Sequence, residues 1–239
     1  MNKKVLIMSL GIMFAATFGV LAINGATSAI AEEEMMGENM MGEAMMEEAM
    51  MSTSYIAKSA VITDSSELEK VRIYTGIEVP TDGSGGAFGY GVISGAELEA
   101  IIVTTTHAGV YDSIAQVDAD DASFHNHYVT LHDLEDDAKC PGLEVKDISF
   151  QEPGDVSVSG KIVVMEDTPY YFAGTHSLSG DNISFNSDME VGSIVYFTID
   201  PVNADGETSV TDIAAVCIND VTGTTEPITI IPAYYWEGN

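Results

Sequence analysis

From about Ser54 onward the chain is cut into short β-rich runs by Gly, Pro, Asn and Asp, and no stretch between those breaks carries a long amphipathic helical period. Short runs at this spacing have to bury their apolar side chains against other strands, which restricts the fold to a β-sandwich or a barrel. Candidate strands are 56–62, 71–79, 87–93, 98–106, 124–131, 143–150, 156–165, 170–173, 183–186, 193–199, 213–218 and 228–234. Alternation with period two is clearest at Val156-Ser157-Val158-Ser159 and at Ile228-Thr229-Ile230. The expectation is an all-β, antiparallel β-sandwich or barrel-like domain of about ten short strands over residues 54–239. With 46% apolar residues the chain has enough material for a packed core.

Two segments precede that domain. Asn2-Lys3-Lys4, the apolar run 5–23 and the small residues ending at Ala29-Ile30-Ala31 follow the order of a secretory signal peptide, over residues 1–31. The chain is therefore expected to be secreted or to face the extracellular side; an uncleaved N-terminal membrane anchor is the alternative reading of the same run. An oxidising compartment predicts that the two cysteines, Cys140 and Cys217, pair as a disulfide. Neither cysteine is followed by the His and Met of a blue-copper site, which disfavours a copper thiolate.

Charge narrows the partners. Lys+Arg number 8 against Asp+Glu 38, a formal net charge of −30, and cleavage after Ala31 would remove Lys3 and Lys4 but no acid. Such a surface repels phosphate backbones and anionic lipids, so nucleic acid and anionic membrane surfaces are excluded and metal cations are favoured. Part of this charge lies in residues 32–53, where methionine pairs recur every five residues. The pairs are Met35 with Met36, Met40 with Met41, Met45 with Met46 and Met50 with Met51, among seven glutamates and no basic residue. A period of five spreads the methionines around a helix axis, so the segment reads as a flexible acidic arm. Thioether sulfur also prefers soft Cu(I), which makes the arm a candidate copper collector, with reversible sulfoxide formation as a further chemistry.

All five histidines, His107, His125, His127, His132 and His176, lie in the β-domain. His125 and His127 sit in Phe124-His-Asn-His-Tyr128, and residues i and i+2 of a strand share a face, so their imidazoles can converge on one ion. His107 ends the preceding candidate strand and supplies a third nitrogen if the two strands pair. His176 is a candidate fourth ligand, whereas His132 has the opposite strand parity. Three neutral imidazoles suit zinc or copper(II). Were the site catalytic, a metal-bound water would be the nucleophile, with Asp112, Asp118 or Asp133 as proton acceptor. Residues 124–128 are similar to the H-x-H strand of alpha-type carbonic anhydrases, but the Glu-x-His step of that family is absent here. The Glu and Gly spacing of cupins is absent too.

A different cation is suggested by Asp200-Pro-Val-Asn203-Ala-Asp205-Gly206 through Asp212, which resembles the calcium loop of EF-hand and dockerin modules. Asn203, Asp205, Gly206 and Asp212 match positions three, five, six and twelve, while Pro201 stands where the first ligand belongs. The same residues also spell an Asn-Ala-Asp-Gly turn joining two strands. Asn182-Ile183-Ser184 is a glycosylation acceptor pattern that suits an exposed loop. Three readings of function follow: a non-catalytic exported metal-binding protein using copper or zinc, a zinc hydrolase or hydratase on the same histidines, and a cell-surface structural or adhesive module with calcium loops.

Overall fold

The computed structural model describes residues 55–64, 68–94, 101–132, 139–186 and 191–232. The signal segment and Asp133 lie outside the described residues, and so does the whole proposed copper-collecting arm, with Met35, Met36, Met40, Met41, Met45, Met46, Met50 and Met51. Thirteen strands form, with no helix among the described residues: β1 Ala57–Asp64, β2 Leu68–Thr75, β3 Phe88–Ser94, β4 Ile101–Thr106, β5 His125–His132, β6 Leu143–Ile148, β7 Asp155–Ser159, β8 Ile162–Thr168, β9 Tyr171–Thr175, β10 Asn182–Asn186, β11 Val191–Val202, β12 Ala215–Gly223 and β13 Thr229–Pro232. The all-β class is as expected. The run 156–165, read from its alternation as one strand, is instead a hairpin: β7 and β8 pair up to Ser159↔Ile162, with Gly160-Lys161 as the turn. Gly160 adopts φ +57°, a conformation that glycine reaches without a Cβ penalty, and this breaks the strand where the apolar alternation continues.

Strands β11-β12-β6-β5-β4-β3 close into a six-stranded antiparallel barrel, and β13-β1-β2-β8-β7 form a second sheet. Alternation along the barrel strands produces two separate cores. Even-numbered residues such as Tyr90, Ile102, Tyr128 and Ile194 face outward and pack with Ile62, Val71, Ile73, Val163 and Met165 of the five-stranded sheet. Odd-numbered residues Ile101, Val103, Val129, Val195 and Phe197 face the barrel interior. All six residues of β4 are buried as a result. A strand buried on both sides should read as a continuous apolar or small-residue run, as Ile101-Ile-Val-Thr-Thr-Thr106 does.

The barrel closes least firmly between β12 and β6, which are in register only at Cys217↔Glu144 and Ile218↔Leu143. The expected disulfide is present at that seam, joining Cys140 to Cys217 with Cα atoms 5.3 Å apart. Both cysteines are buried with Val202 and Ala215 in a small cluster of their own. A sequence separation of 77 gives a large loop, and on the chain-entropy view its closure is worth about 4–5 kcal/mol. The protein carrying both Cys140→Ala and Cys217→Ala is expected to lose about that much unfolding free energy in a denaturant titration. A loss below ~1 kcal/mol would show that the seam closes without its staple.

Candidate metal centre

β4 and β5 lie antiparallel with Val103↔His127 and Thr105↔His125 in register. The inner-facing row of β4 runs 101, 103 and 105, and His107 extends it one step beyond the strand, beside His125. The strand parity that buries Val103 and Val129 therefore also brings three imidazoles together at one end of the barrel. His125 and His127 are fully buried and His107 nearly so. Their ring planes stand almost perpendicular, at 89° for His107 with His125 and 88° for His125 with His127, so the Nε2 atoms converge without ring stacking.

Asp112 completes the group from the loop between β4 and β5. Its Oδ2 lies 3.2 Å from His107 Nε2 and 3.7 Å from His127 Nε2, and its Oδ1 lies 3.3 Å from His125 Nε2. His125 Nε2 and His107 Nε2 are 3.1 Å apart. A tetrahedral ion with bonds of about 2.0–2.1 Å has donor-to-donor edges of roughly 3.3–3.4 Å, which is the scale of these four separations. All four ligand atoms lie within 4.8 Å of one another, and the cluster is able to hold a metal ion.

The protonation pattern agrees. His125 Nδ1 meets the Ser123 carbonyl at 2.8 Å and His127 Nδ1 meets that of Ser149 at 2.7 Å. Carbonyls only accept, so Nδ1–H donates in each ring and the neutral tautomer leaves Nε2 as a bare lone pair. Buried His127 Nε2, His107 Nδ1 and Asp112 Oδ1 make no hydrogen bond. A buried lone pair without a donor is costly, and a cation at the centre of the quartet would satisfy those of His127 and Asp112 together. Burial pushes His127 down to about 4 against the pull of Asp112, so this ring is neutral at physiological pH. Burial works against the Asp112 carboxylate, but the facing imidazoles of His127, His107 and His125 outweigh it and hold it ionised, well below the usual range. His125 moves the other way: desolvation is overcome by its contacts with Asp112 and it is raised.

Gln116 builds the loop that delivers Asp112, a role that nothing in the residue's own sequence context announces. Its buried Oε1 accepts the backbone N–H of Asp112 at 3.0 Å and of Ser113 at 3.1 Å, while Nε2 donates to the carbonyls of Val110 and Asp121. Thr106 Oγ1 ties the loop's far end by donating to Ala122 O at 2.6 Å.

The remaining candidates fall elsewhere. His176 is not drawn into the quartet: its Nδ1 accepts the N–H groups of Leu178 and Ser179 in a surface turn, and the fourth place belongs to Asp112. His132 is exposed at the end of β5. Asp118 is exposed, with Oδ1 accepting the Asp120 N–H. The calcium-like segment closes as a turn. Asn203 Oδ1 accepts the N–H groups of Asp205 and Glu207, Gly206 N donates to Asn203 O, and Asp200 Oδ2 accepts from Asn219. Asp200, Asp205 and Asp212 do not come together, and among the described residues the quartet is the one His/Cys/Asp/Glu group that does. Residue Asn182 opens β10 and is exposed, as its acceptor pattern requires.

No family model, curated protein or solved structure matches this chain. The chemistry of the centre therefore rests on its own geometry.

Two outcomes follow. Gln116→Ala should leave the four ligands in place but free the Asp112 backbone, weakening metal affinity by about 10–100-fold in a competition titration. In metal-free protein, His127 stays neutral down to about 4 while an unfolded histidine takes up its proton near 6.5. The unfolded chain therefore binds the extra proton across that window, and stability contributed by His127 is lost as pH falls from about 6.5 to 4. Denaturant midpoints measured over those pH values should fall less steeply for His127→Gln than for the parent.

Proposed function

We propose that this chain is an exported, acidic, non-catalytic protein that holds one transition-metal ion, zinc or copper(II), on His107, Asp112, His125 and His127. The observation that carries this reading is the burial of four donors that all lie within 4.8 Å of one another, four of their contacts at 3.1–3.7 Å, with His127 Nε2 unpartnered. Nitrogen and oxygen donors of this kind suit zinc and copper(II) better than calcium, which prefers six to eight oxygens. Four protein donors fill a tetrahedral shell and leave no position for the water that a hydrolase or hydratase would activate, which favours holding the ion over catalysis. The seam disulfide supports an oxidising compartment, in keeping with the signal segment. The net charge of −30 would concentrate cations around the protein, an effect that weakens as ionic strength rises. On this reading the methionine arm is a Cu(I) collector whose soft sulfur donors differ in chemistry from the imidazole centre.

Metal analysis of tag-free full-length protein is the test. About one zinc or copper ion per chain is expected, falling to near zero in His127→Ala and Asp112→Ala. With free metal at 100 times its dissociation constant, binding stabilises the fold by about 2.7 kcal/mol, which for a domain of this size raises the midpoint by roughly 5–11 °C. No stoichiometric ion and no shift would refute the reading, and turnover of simple esters or CO₂ by the loaded protein would replace it with the hydrolase.

A further inference from the structure

The barrel encloses more than the metal quartet. A cavity of about 1120 Å³, partly open to solvent, is lined by His107, Asp112 and His127, by the inner rows of the strands and, on its open side, by the exposed Leu178, Val210 and Val221. That is slightly above the roughly 300–1,000 Å³ typical of small-molecule sites.

The walls show that this space is built in. On β3 the sequence Phe88-Gly89-Tyr90-Gly91-Val92 places large side chains outward and no side chain inward. A Cβ at Gly91 would lie 3.3 Å from Val195 Cγ2 and 3.6 Å from Phe197 Cε1, and one at Gly89 would lie 2.8 Å from Phe197 Cζ, so the two glycines give room to the Phe197 ring on the inner row. Glycine at an inner strand position weakens a sheet and suits a place where something else approaches the backbone. The inner row also keeps a trace of exposure, 5% at Val103 and 9% at Val195, while Ile102 and Ile194 on the outward row of the same strands have none. The inner layer is thus less completely filled than the outer one.

The lining also specifies a chemistry. It contains Asp112, Asp200 and Asp220 but no Lys or Arg, so an anionic ligand finds no cationic side chain. Two neutral hydroxyls of the lining, Thr105 Oγ1 and Ser177 Oγ, have no hydrogen-bond partner, and Thr105 lies on the same inner row as His107. Thr105 is 4% exposed and its side chain lines the cavity. A buried hydroxyl left unpaired costs free energy that a ligand oxygen in the lumen would recover.

We infer that the barrel lumen is a binding site for an uncharged, apolar small molecule with a single hydroxyl or carbonyl oxygen, its apolar body between Val103, Val129, Val195 and Phe197 and its oxygen on Thr105. This inference goes beyond the metal reading and does not depend on the ion being bound, because Thr105 and the apolar walls supply the contacts. It gives the metal centre a further role as one wall of a ligand cavity.

The neutral dye N-phenyl-1-naphthylamine, titrated against the full chain with metal content measured in parallel, tests it. Expected are a saturable fluorescence rise at one site per chain and roughly tenfold weaker binding of the anionic 1-anilinonaphthalene-8-sulfonate. Displacement by 1-decanol should be about ten times more effective than by decane, the scale of one recovered hydrogen bond. Val103→Phe should fill the lumen and weaken dye binding at least tenfold while metal content is retained. Thr105→Val, a smaller change, should keep dye binding and erase the preference for decanol. Absence of saturable dye binding by the parent protein, equal displacement by decanol and decane, or undiminished binding in Val103→Phe protein with its metal intact would overturn the inference. Dye binding without metal would sink the metal reading and leave this one standing.

Discussion

The structure turns on two neighbouring strands, β4 and residues 125–129 of β5, that are buried on both faces. Their outward residues, Ile102 and Tyr128 among them, are sealed against the five-stranded sheet, and their inward residues look into the barrel. A strand in this position has no solvent side on which to place a polar group. Any polar residue it carries must be satisfied within the protein or by something held there. His125, Asn126 and His127 are three such residues in a row, all fully buried, and they resolve the constraint differently. Asn126 on the outward face donates its backbone N–H to Glu152 and its side-chain amide to Pro153 O, and meets the constraint only in part, since its Oδ1 has no hydrogen-bond partner. The two histidines commit Nδ1 to carbonyls and turn Nε2 toward His107 and Asp112. The candidate metal centre is thus what a doubly buried strand makes of an H-x-H pair.

Much of this was legible from residues alone. Period-two alternation separates the two faces of a strand, so the shared side of His125 and His127, and the place of His107 on the same row, follow from spacing once β4 and β5 pair. The cysteine pair followed from count and compartment. What spacing does not carry is the course of a loop. Asp112 sits in the β4–β5 connection, where its reach to the histidines depends on a bond from Gln116 and on tight backbone closures such as Gly109 N to Ala119 O. His176 was a comparable candidate by composition, yet the turn after β9 holds its Nδ1 on Leu178 and Ser179. Strand counting failed at Gly160 for the same reason: a two-residue turn inside an uninterrupted alternation leaves the apolar pattern unchanged while reversing the chain.

Charge and architecture divide the work between outside and inside. Acids dominate the chain, yet the barrel walls are apolar and only one carboxylate, that of Asp112, belongs to the centre. An acidic exterior raises the local concentration of cations without selecting among them. On the proposed function, selection would fall to the quartet, where buried imidazoles and one ionised carboxylate set donor type and spacing. The disulfide at the β12–β6 seam keeps the barrel closed around both the centre and the cavity beside it.

X-ray absorption spectroscopy of the zinc-loaded full chain tests the central claim most directly. The account predicts four nitrogen and oxygen scatterers at about 2.0–2.1 Å, with the outer-shell pattern of three imidazoles and no sulfur. A first shell containing sulfur at about 2.3 Å or longer, or six oxygens without imidazole, would place the ion on the methionine arm or the acidic surface and contradict it.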